Sequence, residues 1–125
     1  MHLGPEFAKR VFLIAGVYGI VVLVPQYFVE WGLDLPVPIA RPEHFYGFIG
    51  VALSWQFVFL LIARDVWRYR PLMLVGVLEK LSFGLPVVIL YVTGRVSLGV
   101  LGAGAIDLAL GAMFVLAHSA SGRRS

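Results

Sequence analysis

Four long apolar runs occupy most of a chain of 125 residues: Val11–Val24, Phe45–Ala63, Leu72–Val92 and Val96–Ala117. A bilayer core is about 30 Å thick, and a helix rising about 1.5 Å per residue needs roughly 20 apolar residues to cross it. Three runs reach that length as they stand. The first reaches it when its helix extends toward Phe7 and Phe28. The pattern predicts an all-α, four-helix transmembrane bundle with spans near 7–28, 44–63, 71–92 and 96–118, forming a single integral membrane domain over 1–125.

Composition points the same way. Hydrophobic residues make up 60% of the chain and charged residues 14%, against roughly 45–50% and 25% in soluble domains. Mean hydropathy is +0.91. A net charge of +3 and a pI near 9.6 could point to nucleic acid. The basic residues cluster at span ends, where lipid headgroups meet them, so no nucleic acid partner is expected. The absence of cysteine excludes a disulfide framework, thiol redox chemistry and thiolate-bound metals.

The distribution of Lys and Arg sets an expected orientation. Lys9, Arg10, Arg64, Arg68, Arg70, Arg123 and Arg124 fall on one side of the four-span arrangement, and Arg41 and Arg95 on the other. The positive-inside rule then puts both termini in the cytoplasm; the expected location is the inner membrane of a bacterium. Lys9 and Arg10 before an apolar stretch resemble a secretory leader. With no small-residue cleavage site following, the first run is read as a retained span.

The connections differ in character. Pro25–Glu43 is long and carries Tyr27, Phe28, Trp31, Pro36, Pro38 and Pro42, which predicts an irregular or partly helical segment at the headgroup level. Arg64–Arg70 is short and basic, with Trp67 and Tyr69 suited to the interface and Pro71 suited to the first turn of the next helix. Thr93-Gly94-Arg95 predicts a tight hairpin that makes spans three and four antiparallel neighbours.

The chemistry-bearing residues lie inside the spans. Gln56, Glu79, Lys80 and Asp107 are polar or charged groups at comparable depth, roughly 10–15 Å from the basic side at about 1.5 Å per residue. A charge at mid-bilayer costs at least about 2.5–3.5 kcal/mol, so each needs a partner or a function. Gly76, Lys80 and Gly84 share a stripe, as do Gly99, Ala103, Asp107 and Gly111. Small residues at that spacing let membrane helices approach, which predicts a Lys80–Asp107 ion pair between spans three and four. That pair either locks packing alone or serves a site.

Glu79 remains over, able to share Lys80, bond Gln56 or carry a proton. It is the candidate for ligand binding or proton-linked work. Tyr18, in mid-span, needs a hydrogen-bond partner and is expected to reach the same layer. Ala15 and Gly19 are expected packing positions. Pro86 is expected to disturb the third span beside Glu79. Glu43 and His44 suit a helix cap or the interface, and His2, His44 and His118 are too dispersed for a metal or haem site. No cofactor is expected. No nucleotide loop, HExxH motif or serine elbow is present, and no residue is assigned a catalytic role.

The stretches Arg10–Gly16, Ala63–Pro71 and Gly94–Ser97, set among four short spans with basic ends, make the chain resemble the DoxX-like group of small bacterial membrane proteins. That resemblance is architectural. It implies a four-span fold and assigns no activity. Small multidrug transporters have a similar length but require an acid in the first span, which Val11–Val24 lacks. Fluoride channels need near-balanced loop charges, unlike this chain. Three functions are consistent with the residues. The first is a non-enzymatic protein with a polar-lined intramembrane pocket for a lipid-like or small hydrophobic ligand, the pocket lying in the inner half. The second is an accessory subunit of a membrane complex. The third is a proton-linked transporter or lipid-modifying enzyme using Glu79. The bilayer is the expected partner, with a homodimer or a second membrane protein as further candidates.

Overall fold

The structure, a computed structural model, describes residues 4–32 and 39–122. Among them, four helices are long and apolar enough to cross a membrane. Helix α1 covers Pro5–Leu23 and continues through a 3-10 turn, Val24–Phe28, into the short α2, Val29–Gly32. Helices α3 (Pro42–Arg64), α4 (Arg70–Val92) and α5 (Leu98–Ala120) have 23 residues each. At about 1.5 Å per residue each is about 34 Å long. No strand occurs among the described residues. Pro36 and Pro38 of the first connection, His2, Arg123 and Arg124 lie outside the described residues, as does the side chain of Trp31.

The helix ends follow local chemistry. Pro42 and Pro71 stand in the first turns of α3 and α4, where the missing N–H costs nothing. Ser97 caps α5 by accepting a hydrogen bond from the Val100 N–H at 3.3 Å. Between α4 and α5, Gly94 takes φ +75°, and the Arg95 N–H donates back to the Leu90 carbonyl at 2.8 Å. This is a left-handed helix stop that a residue with a Cβ would strain. Pro86 sits within α4 without ending it. Glu43 occupies the first turn of α3 and is exposed, as is His44. A carboxylate there complements the positive end of the helix dipole.

The helices run up and down, and two pairs dominate the packing: α1 with α3, and α4 with α5. Helix α1 also packs on α5, whereas the α3–α4 edge is the most sparsely joined. The α1–α3 pair closes over glycine. A Cβ on Gly16 would lie 2.9 Å from the Gln56 carbonyl oxygen, and one on Gly19 would overlap the Gln56 side chain. In the α4–α5 pair, a Cβ on Gly84 would lie 2.6 Å from Leu108, and one on Gly104 would lie 2.6 Å from Val87. The α5 face in closest contact therefore carries Gly104 and Gly111. Ala103, expected in that stripe, is exposed instead.

Among the described residues, the larger of two buried apolar clusters occupies the end of the bundle that carries Arg64 and Arg70, and a smaller one of Leu23, Ile49 and Ala52 joins α1 to α3 toward the other end. Phe12, Phe59 and Phe114 are fully buried in the larger one with Met73 and Ile62. Phe12 stacks on Phe114 at 4.2 Å between ring centroids, and Phe59 meets Phe114 edge-on at 4.9 Å. Arg70 fastens this end: its Nε and Nη2 donate to the His118 carbonyl at 3.1 and 2.9 Å. The outer surface is the apolar one. Ile14, Val21, Phe57, Leu85, Ile89 and Leu98 all face outward, an arrangement that water would penalise and lipid tails accept.

Candidate functional site

Toward the opposite end the helix pairs separate and leave a cavity of about 1000 Å³. Its position follows from the core: three Phe rings fill the space between the helices at the arginine-rich end, and nothing comparable fills it beyond Gln56. The cavity runs from the layer of Glu79, Lys80 and Asp107 to Gln26, Phe45 and Ser97 at the helix ends near the first and third connections. A pocket confined to the half nearest the arginines, as the residue depths suggested, is therefore corrected. The three Phe rings close the space between the helices in that half, and from the polar layer the cavity extends the other way.

The floor is ionic. Lys80 projects from the face of α4 that meets α5, with its Cβ over Gly111: a Cβ on that glycine would lie 3.3 Å away. Its Nζ reaches Asp107 Oδ1 at 3.5 Å and Glu79 Oε2 at 3.4 Å. The same ammonium lies 5.2 Å from the centre of the Phe59 ring, over the last aromatic of the core. Lys80 is 3% exposed, so one cation is held by two carboxylates and a ring. The expected Lys80–Asp107 pair is present. Of the partners weighed for Glu79, the structure selects Lys80 and not Gln56.

Gln56 is also held locally. It is 2% exposed, and its Nε2 donates to the Ala52 carbonyl at 2.7 Å. The notch left by Gly19 accommodates its amide. Its Oε1 has no hydrogen-bond partner, and neither has Glu79 Oε2, which is ion-paired but outside hydrogen-bond geometry. Among the described residues these are the buried side-chain polar atoms left without one. Tyr18 lines the cavity and is half-buried, and no hydrogen bond joins it to the polar layer. Mid-span position brought Tyr18 to the right wall, and the half-open cavity leaves its hydroxyl unburdened by full burial.

The walls are apolar, with Phe45, Phe48, Trp55 and Phe83 among the largest groups. Phe48 of α3 and Phe83 of α4 approach to 5.8 Å between centroids across the sparsely packed edge. These residues were missed as site components, although a signal existed. Phe48, Ala52 and Gln56 recur every four residues, as do Glu79 and Phe83, so each aromatic shares a helical face with a polar residue. At the α2 end, Tyr46 donates a hydrogen bond to Glu30 and stacks on Tyr27. This ties the segment after α1 to the start of α3 beside the cavity mouth.

The donor set does not suit a metal. Among the described residues, no three His, Cys, Asp or Glu side chains come together as ligands. Comparison with protein-family models, curated proteins and solved structures gives no match.

Proposed function

We propose that this multi-pass membrane protein binds a lipid-like or small hydrophobic molecule in the cavity between its helix pairs and carries no catalytic activity of its own. The observation that carries this reading is a cavity of about 1000 Å³ with aromatic and aliphatic walls and an ionic floor. Ligand pockets commonly measure roughly 300–1000 Å³ and pair apolar walls with a few convergent polar groups. The sparsely joined α3–α4 edge, where Phe48 meets Phe83, offers an approach from the surrounding lipid. The same proposal sets the protein in a bacterial inner membrane with both termini in the cytoplasm, the orientation resting on the seven-to-two division of basic residues. The resemblance to DoxX-like proteins agrees with the four-span architecture.

Native mass spectrometry of protein released from mild detergent tests the reading. The wild type is expected to retain a small molecule or lipid that Glu79→Gln, or the cavity-filling Ala103→Trp, releases while the fold survives. Bare protein in every case, with Glu79→Gln only less stable, would favour a purely structural polar layer or an accessory subunit. Flux or turnover abolished by Glu79→Gln would favour transport or acid–base chemistry.

A further inference from the structure

The charges lining the cavity do not balance. Among the described residues, Glu79, Lys80 and Asp107 are the charged ones lining it, and Lys80 serves both carboxylates at once. One formal negative charge is left without a counter-charge in a region where an unpaired charge is costly.

The hydrogen-bonding shortfall has the same sign. Among the described residues, the two buried side-chain polar atoms without hydrogen-bond partners, Gln56 Oε1 and Glu79 Oε2, are acceptors, and both belong to residues lining the cavity. A carboxylate accepts and does not donate, and an amide oxygen only accepts. Both atoms are sealed from the cavity, so what its floor lacks is positive charge at the carboxylate edges left open, the Glu79 and Asp107 side chains being 16% and 18% exposed. Lys80 cannot supply more, because its ammonium is enclosed by two carboxylates and the Phe59 ring. For the same reason it is not available to hold the head of an anionic amphiphile.

Resting on the reading of the cavity as a ligand site, we infer that its ligand is a cationic amphiphile of the alkylamine class. The ammonium sits at Glu79 and Asp107, and the hydrocarbon lies along Phe48, Trp55 and Phe83 toward the open end. The head supplies the missing charge, donating to the exposed carboxylate edges, and the aromatic walls favour a cation's flanking methylenes.

Three probes with the same chain and different heads test this: dodecylamine, dodecanol and dodecanoate, titrated into protein in phosphatidylcholine nanodiscs. Trp55 lines the cavity, so binding is read as a change in tryptophan fluorescence, assigned to that residue by its loss in Trp55→Phe. Dodecylamine is expected to saturate the signal at a concentration about tenfold or more below dodecanol, with dodecanoate weakest. That preference should fall toward parity in Glu79→Gln and in Asp107→Asn, each checked for retained helicity and cooperative unfolding. Dodecanol binding as tightly as dodecylamine would overturn the inference and leave the cavity reading standing, one proton shared by the carboxylates then closing the balance. A preference for dodecanoate would overturn it too, making Lys80 the anchor. If no probe saturates, the cavity reading itself fails.

Discussion

Lys80 reaches Asp107 across the α4–α5 contact at 3.5 Å, from a Cβ seated over Gly111. The pair joins two helices that already pack through Gly84 and Gly104, so charge and close approach act at one crossing. Removing the cation alone leaves two carboxylates facing each other in a low-dielectric layer. Lys80→Ala is expected to destabilise the protein by about 3–5 kcal/mol, the usual cost of orphaning a buried charge. Lys80→Ala/Asp107→Ala should recover a large part of that loss. Thermal unfolding in one detergent, run as a double-mutant cycle, checks both values.

Glycine at the α4–α5 crossing should be far less replaceable than glycine on the lipid face. A Cβ on Gly84 would meet Leu108 at 2.6 Å and the Gly104 carbonyl oxygen at 3.1 Å, whereas one on Gly102 has nothing within 4 Å. Gly84→Ala is expected to cost about 1–3 kcal/mol. Gly102→Ala should be neutral or slightly stabilising, through helix propensity. Comparing the two unfolding temperatures separates packing from propensity.

The aromatic core at the arginine-rich end holds the two helix pairs together. Phe114 touches both Phe12 and Phe59 and is fully buried. In water-soluble cores Phe→Ala costs roughly 3–5 kcal/mol. Here part of the side chain's transfer contribution is absent, because lipid is as apolar as the core, and packing supplies the rest. Phe114→Ala is expected to cost about 1–3 kcal/mol and to loosen the α1–α5 contact. Hydrogen exchange in α1 and α5 is the measurement.

Gln56 should separate stability from binding. Its amide oxygen is buried without a donor, and replacing such a group by an apolar one of similar shape is near neutral or stabilising. Gln56→Leu is expected to keep or raise the unfolding temperature by a few degrees while reducing retention of the bound molecule in native mass spectra. A large loss of stability would show that Gln56 has a partner role not captured by its bond to Ala52.

The absence of native cysteine makes orientation directly measurable. Single cysteines at Thr93 and Gly122 report opposite ends of the bundle. In intact cells a membrane-impermeant maleimide should label Thr93→Cys and leave Gly122→Cys unlabelled until the membrane is opened. The reverse pattern would invert the proposed topology.

The four spans and the Lys80–Asp107 pair were legible because they rest on long-range averages and on the fixed four-residue spacing of helix faces. Hydropathy over 20 residues tolerates many local exceptions, and a lone lysine beside a hairpin partner's aspartate has few other places to go. Which α5 stripe meets α4 was harder. Ala103 and Gly104 differ by about 100° around the helix, and both are small, so composition could not choose between them. Gly104 is chosen by Val87, whose side chain occupies the space a Cβ there would need.

The cavity was misplaced for a related reason. Depth along each span locates the polar residues, but whether space lies above or below them depends on which aromatic rings converge. Phe12, Phe59 and Phe114 come from three helices, and nothing in the linear order of the chain joins them. Tyr18 shows the same limit: its wall was foreseeable, its lack of a hydrogen-bond partner was not.

An experimental structure determined in lipid tests the central claim most directly. The account predicts elongated density between Phe48 and Phe83, running from the ionic floor at Glu79 and Asp107 toward Gln26, with Lys80 still held between the two carboxylates. A closed α3–α4 edge with side chains filling that space, or a cavity holding only water, would contradict it.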